Sequence, residues 1–272
     1  MERGCIVGKE FYKNAHAYDI AFNDREFNKE CDFLEWALNK HGKVKTKKND
    51  KKSFIELACG PARHAREMAK RGWKSSALDL SEEMVKYAKL ESEREGFKIT
   101  AIEADMTKFK LKKPVTLACT LMESISHLVT NEQMISHFKS VAKNLVSGGI
   151  YVIEATHPMF YFPDDEPNSW ITQEGNMTVE LTFGLPSDKY NSVTQQWHVT
   201  SIMKINETGE PERISETHSV VRWYLAQEIK ALIDLSGAFE KYWFYGSLYT
   251  IPGKEFDDSE NSDAMVIVLR KK

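Results

Sequence analysis

Between residues 53 and 155, short apolar runs alternate with longer stretches whose apolar positions recur every three or four residues. The runs are Phe54 to Ala58, Ser76 to Leu80, Ile99 to Ala104, Val115 to Cys119 and Ile150 to Ala155, each of strand length. The stretches between them carry helix punctuation. Gly72 closes the first, Ser81 with Glu82 and Glu83 opens the second, and Gly96 closes it. Thr130 with Gln133 makes a capping box for a helix whose apolar face is Met134, Phe138, Val141 and Leu145, read as stopping at Gly148 and Gly149. Alternating strands and helices predict an α/β fold with a parallel, doubly wound sheet. Upstream, Phe27, Cys31, Leu34 and Leu38 mark an amphipathic helix ending near Gly42, preceded by an aromatic-rich segment over 10–23.

After Pro158 the period changes from about 3.6 to two. Met177, Val179, Leu181 and Phe183 alternate with polar residues. So do Val193, Trp197, Val199, Met203 and Ile205 against Thr194, Gln196, His198, Thr200 and Lys204. A turn at Asn206 to Pro211 returns the chain through Ile214 to Arg222, which predicts a small antiparallel sheet inserted into the α/β order. The α/β texture resumes with a helix through Leu225, Ile229, Leu232 and Ile233, stopped at Gly237, then strands Phe239 to Gly246 and Ala264 to Leu269. The expected organisation is an N-terminal helical cap and connector at 1–52, a core at 53–158 and 223–272, and an inserted loop and sheet at 159–222 serving as lid or dimerisation element.

Composition narrows the class. With 42% hydrophobic and 28% charged residues the chain is neither disordered nor low in complexity. The formal charge of −3 advertises neither nucleic acid nor an anionic membrane. Seven lysines between Lys40 and Lys52 read as a solvated connector between a helix stop and a strand start. The four cysteines, Cys5, Cys31, Cys59 and Cys119, have no metal-ligand spacing, so reduced thiols and no bound metal are expected. No signal-peptide run and no stretch of 18 apolar residues occurs, so a cytoplasmic protein is expected.

In an open α/β sheet ligands bind beyond the carboxyl ends of the strands, so those ends carry the chemistry. The first strand runs into Glu56-Leu57-Ala58-Cys59-Gly60-Pro61-Ala62-Arg63-His64, which retains one glycine of the three in a dinucleotide fingerprint. Nineteen residues after Gly60, Asp79 ends the second strand, placed to accept from ribose hydroxyls. At the third strand end, Asp105 is placed to accept from an exocyclic amine, with Met106 and Met84 against a flat purine. For each acid a helix cap or solvated turn is the structural alternative.

These residues resemble class I S-adenosylmethionine-dependent methyltransferases, over about 53–155 and again over 223–270. The family's acid-x-x-x-Gly-x-Gly motif appears as Glu56, Gly60 and Ala62, with alanine at the second glycine. The resemblance implies S-adenosylmethionine as cofactor and a Rossmann-like sheet of seven mostly parallel strands, order 3-2-1-4-5-7-6, the last antiparallel. It places Ala58, Cys59 and Gly60 along the methionine moiety, Asp79 at the ribose, and Asp105 and Met106 at the adenine, with Glu56, Arg63, Leu80 and Met84 in the cofactor set. Thr120 and Leu121, at the end of the fourth strand, complete the cofactor set. The loop Leu121-Met122-Glu123-Ser124-Ile125-Ser126-His127-Leu128 lacks the Asn-Pro-Pro-Tyr tetrad of amide-directed nucleic-acid enzymes. With the aromatic N-terminus and inserted sheet, the chain looks most like glycine/sarcosine and amino-sugar N-methyltransferases.

Methyl transfer from a sulfonium needs mainly positioning, exclusion of water and a free lone pair. Tyr12 and Tyr18 are candidates for lining the sulfonium. His157, after the fifth strand, and His127, after the fourth, are candidate bases, with Tyr18 as a further catalytic candidate. Each has an ordinary structural role as its alternative. The rings of Phe160, Tyr161, Phe162, Trp170, Trp197 and Trp223 are expected to pack the inserted sheet. The expected function is therefore methylation of an N, S, O or C atom of a small metabolite. A homodimer through the inserted sheet is expected, and no nucleic-acid or membrane partner. Three alternatives stay open: an RNA or protein methyltransferase, a nicotinamide-dependent oxidoreductase, and a non-catalytic adenosyl-binding protein.

Overall fold

Helices α1 (Ala15–Ala21) and α2 (Phe27–His41) precede β1 (Ser53–Leu57), α3 (Arg63–Lys70), β2 (Lys74–Asp79), α4 (Glu82–Arg94), β3 (Thr100–Glu103) and β4 (Val115–Thr120). A 3-10 turn at Ser124–His127 leads to α5 (Asn131–Asn144) and β5 (Leu145–Thr156). Then come β6 (Asn168–Glu174), β7 (Met177–Phe183), β8 (Lys189–Asn191), β9 (Gln196–Glu207), β10 (Arg213–Arg222), α6 (Ala226–Ser236), β11 (Phe239–Tyr245) and β12 (Ala264–Lys271). This is a computed structural model that describes residues 14–45, 52–160 and 168–272. Tyr12, Tyr161, Phe162 and residues 46–51 of the lysine-rich connector lie outside those residues.

Two units make up the chain. The larger, 26–161 with 224–272, holds a seven-stranded sheet in the order β3-β2-β1-β4-β5-β12-β11. β1 to β5 run parallel, and β12 lies antiparallel between β5 and β11. That is the expected 3-2-1-4-5-7-6 order. Every residue of β4 is buried, as a central parallel strand covered on both faces requires. Alternate residues feed two cores. Phe54, Leu117, Val152 and Val266 meet Phe33, Leu34 and Met68 from α2 and α3. Ile55, Ala118, Ile153 and Ile267 meet Phe138 and Val141 of α5 and Ile229 and Leu232 of α6. The predicted caps are present: Ser81 Oγ accepts from Met84 N at 3.2 Å, and Thr130 and Gln133 form a reciprocal capping box.

One boundary differs from the pattern reading. α5 ends at Asn144, and Leu145 already pairs with Val115, so Gly148 and Gly149 lie inside β5. Gly148 has φ +74° and its carbonyl accepts from Lys43 N at 2.9 Å; a Cβ there would stand 2.6 Å from the Lys43 carbonyl carbon. The glycine serves a close backbone approach rather than a helix stop.

The smaller unit, 1–25 with 162–223, pairs strands in the order β10-β9-β7-β6, with β8 also on β9. Its core sets Ala17, Ile20 and Ala21 of α1 against Met177, Val179, Leu181, Met203 and Ile205, and Trp170 Nε1 donates to Ala21 O at 2.7 Å. α1 therefore groups with the inserted sheet and α2 with the larger unit, so the 1–52 segment divides between them. β6 and β8 add strands that periodicity did not mark, and Val193, read as sharing a strand face with Trp197 and Val199, is 91% exposed in the turn before β9.

Candidate active site

Strand order in the larger unit reverses between β1 and β4, and in an open α/β sheet the crevice beyond the carboxyl ends at such a switch point is where ligands bind. On the β1 side the backbone is left-handed at Ala58 (φ 49°), Gly60 (φ 48°) and Ala62 (φ 60°). Two alanines hold that conformation because neighbours fix the chain. Cys59 N donates to Leu78 O at 3.0 Å, Ala62 N to Cys59 O at 2.7 Å, and Gly60 N to Asp79 Oδ2 at 2.8 Å.

Asp79 thus ties the β1 loop to the β2 end, its second oxygen accepting from Ser81 N at 2.9 Å. Burial raises its pKa, while these amide hydrogen bonds act in the opposite direction. The side chain stays partly accessible, and a carboxylate has about four acceptor positions, so hydroxyl donors have room. Leu80, beside it, is 72% exposed. At the β3 end, Asp105 Oδ1 accepts from both the amide and hydroxyl of Thr107 at 2.7 Å. Met106 is half-buried, its carbonyl held by His137 Nδ1 at 3.0 Å. A carboxylate at the β2 end, a second at the β3 end and accessible apolar side chains flanking them fit the ribose and adenine of S-adenosylmethionine. Two expected cofactor contacts do not reach the surface: the side chains of Met84 and Thr120 are fully buried, and Thr120 Oγ1 lies 2.7 Å from Tyr151 OH beneath the strand end.

Glu56 is also buried, and what it holds is the protein. Its Oε2 accepts from Ala65 N at 2.8 Å, capping α3 where Ala62 has no side chain to do so. Its Oε1 lies 2.8 Å from His64 Nδ1, while His64 Nε2 lies 2.5 Å from Glu30 Oε2 and Tyr249 OH donates to Glu30 Oε1 at 2.6 Å. Burial alone would lower the His64 pKa; the two carboxylates outweigh it and raise it to about 9, so the ring is an imidazolium at neutral pH. Glu30, Glu56 and Tyr249 thereby fasten α2, β1 and the β11–β12 connection around the start of α3.

Across the crevice, β4 leads into Met122 (φ 55°) and Glu123 (φ 57°), two successive left-handed residues without glycine's freedom. Met122 N donates to Glu154 Oε2 at 2.7 Å, and Glu123 Oε2 accepts from Thr156 N at the end of β5. Burial raises the Glu123 pKa to about 7, opposed by the Thr156 hydrogen bonds and aided by the Glu154 charge. Glu123 is nevertheless partly accessible, and His127 is exposed although desolvation lowers its pKa. Both residues stand just beyond the carboxyl end of β4, at the switch point of the sheet. Pattern reasoning missed Glu123; the available signal was that it is the one acid between Val115 and Val129.

His157 does not fit the base role expected of it. It is 4% exposed, Met159 N donates to its Nδ1 at 3.1 Å, and its Nε2 then donates to Asp257 O at 2.8 Å. Neither nitrogen has a lone pair free for a substrate proton, so its role is to tie β5 to the β11–β12 connection. Tyr18 lies on α1 in the smaller unit, half-buried with its ring 4.9 Å from that of Phe22. Arg63 is half-buried with its guanidinium 5.6 Å from the Phe27 ring centroid, and Cys59 and Leu121 are buried.

Comparison with known proteins agrees with this geometry. Residues 54–149 match the family described as a methyltransferase domain. A Streptomyces venezuelae dTDP-3-amino-3,4,6-trideoxy-alpha-D-glucopyranose N,N-dimethyltransferase is 23% identical over 84% of this chain and 91% of its own. An S-adenosylmethionine-dependent methyltransferase from Clostridium acetobutylicum superposes with a TM-score of 0.72 at 15% identity, covering 96% of this chain and 98% of that one. CalS10, an amino pentose methyltransferase from Micromonospora echinaspora solved with S-adenosylmethionine bound, gives 0.66 at 15% identity over the whole of both chains. Fold and matched domain together define a class I S-adenosylmethionine-dependent methyltransferase. The chain is a transferase of that class, S-adenosylmethionine is its methyl donor, and its resemblances lie with the small-molecule branch. The oxidoreductase, regulatory and macromolecular readings gain no support. Among the described residues no cluster of metal-ligating side chains occurs and no helix is long and apolar enough to cross a membrane.

Proposed function

We propose that this enzyme methylates an amine nitrogen of a small polar metabolite of the amino-sugar class. The observation that carries the reading is the β4 wall of the crevice, where a partly accessible carboxylate, Glu123, stands beside a second acid, Glu154. An anionic wall attracts an ammonium, whereas a thiol or sugar hydroxyl that must ionise would be disfavoured by it. The acceptors named for the Streptomyces and Micromonospora relatives support the same chemistry.

In this proposal Asp79 accepts from the donor's ribose hydroxyls, Asp105 with Met106 and Leu80 receives the adenine, and the Ala58–Gly60 backbone borders the methionine moiety. S-adenosylmethionine supplies the electrophilic methyl group; the chain supplies its orientation and a crevice wall that seats the acceptor. His127, exposed on the turn after β4, is placed to hydrogen-bond the acceptor. The test is transfer of radiolabelled methyl from S-adenosylmethionine to a panel of nucleotide-linked amino sugars beside thiols, phenols and hydroxyl-only sugars. Label is expected in amines alone. Label confined to thiols or hydroxyls would replace the amine reading.

A further inference from the structure

Glu123 sits in a backbone conformation that few residues adopt. It follows another left-handed residue, and Thr156 grips its carboxylate from the neighbouring strand. Such an arrangement fixes where the carboxylate points rather than leaving a flexible acid on a loop. Among the described residues no Lys, Arg or His forms an ion pair with Glu123; the charged group beside it is the acid Glu154 on β5. His127, four residues on in the turn that follows β4, is exposed. A carboxylate recessed in a wall, next to a like charge and without a protein cation, lacks the partner that would balance it. The crevice beyond β4 is where that partner arrives.

Resting on the amine reading above, we propose that Glu123 is the general base of the reaction, holding the acceptor's ammonium and taking its proton. The ammonium nitrogen gives one proton to the Glu123 carboxylate, and the freed lone pair forms the N–C bond as the S–C bond breaks, its electron pair going to sulfur. The N-methylammonium product leaves, and the carboxylic acid returns its proton to water. A pKa of about 7 suits the task, since the group is an effective base yet can be re-ionised near neutrality. Glu154 acts through Met122: by accepting from the Met122 amide it holds the first of the two left-handed residues, which makes it a positioning residue.

The experiment compares wild type with Glu123→Gln, which keeps shape and hydrogen bonding but cannot take a proton. Three quantities are measured: kcat over pH 5.5–9 with the amino sugar that wild type methylates best, the calorimetric Kd for S-adenosylmethionine, and a carbon-13 titration of glutamate-labelled protein without donor or acceptor. At pH 7.5 kcat should fall by about 10²- to 10⁴-fold, the range for a lost general base. Kd should stay within about twofold, since the donor contacts are elsewhere. The acid limb of the wild-type profile and a carboxyl resonance titrating near pH 7 should both vanish. If Glu123→Gln does not fold, Glu123→Asp carries the test: it keeps the titrating carboxyl but shortens its reach, so kcat falls while the limb persists. An unchanged limb in Glu123→Gln, or a Kd that worsens in step with kcat, overturns the assignment. Failure of wild type to methylate any amine overturns the amine reading itself, which separates the two outcomes.

Discussion

Replacing His64 with alanine should lower the unfolding free energy by roughly 3–5 kcal/mol, the loss typical of breaking a buried ion pair. The ring is 1% exposed, so solvent screens it little. Without it, Glu30 and Glu56 would face each other as uncompensated carboxylates, and the start of α3 would lose the group that orients its Glu56 cap. pH should act through the same residue. The folded pKa, about 9, lies above the ordinary 6.5, so the imidazolium stabilises fully below pH 6.5, and that contribution disappears as pH rises through about 9. Urea midpoints measured from pH 6 to 10 should therefore fall for wild type, and the fall should be missing in a His64→Gln variant. Parallel curves would mean that the ring is neutral and the network rests on ordinary hydrogen bonds.

Asp79→Ala should weaken S-adenosylmethionine binding by more than tenfold, about 1.4 kcal/mol or more. Two losses combine. A hydrogen bond to a charged group contributes about 1.5–3 kcal/mol, so removing the acceptor of the ribose hydroxyls is enough to exceed tenfold. The substitution also frees Gly60 N and Ser81 N, and the loop with three left-handed residues loses the link that fixes it to β2. Asp79→Asn, which keeps one acceptor oxygen and sets an NH₂ against those amides, should fall between wild type and alanine. Calorimetric titration reads all three, and equal affinities would remove Asp79 from the donor site.

What was legible in the chain follows from the range of the interactions concerned. The alternation of strands and helices and the helix caps rest on short-range signals, such as the Thr130–Gln133 pair, and these were readable, whereas the strand order followed from the family resemblance. Asp79 was readable because strand β1, a tight loop and α3 place it a set distance beyond Gly60. His157 satisfied the same strand-end rule, yet its nitrogens are taken by Met159 and by Asp257, one hundred residues away. His64 was passed over for the converse reason: its partner Glu30, and Tyr249 which donates to Glu30, come from distant segments. Glu123 acquires its place from two unusual φ angles and a bond to Thr156, 33 residues on, neither of which hydropathy encodes. β6 went unmarked because, at an edge, only Thr172 of its seven residues is fully buried, which leaves no apolar alternation to see.

The most direct test of the donor site is calorimetric titration of the purified enzyme with S-adenosylmethionine and, separately, with a nicotinamide dinucleotide. One-to-one binding of S-adenosylmethionine at micromolar affinity, with no heat from the dinucleotide, is the expected result, because the loop after β1 has a single glycine, held by Asp79 at the end of β2, rather than a pyrophosphate cradle. Tighter binding of the dinucleotide would contradict the assignment of Asp79 and Asp105 to an adenosyl methyl donor.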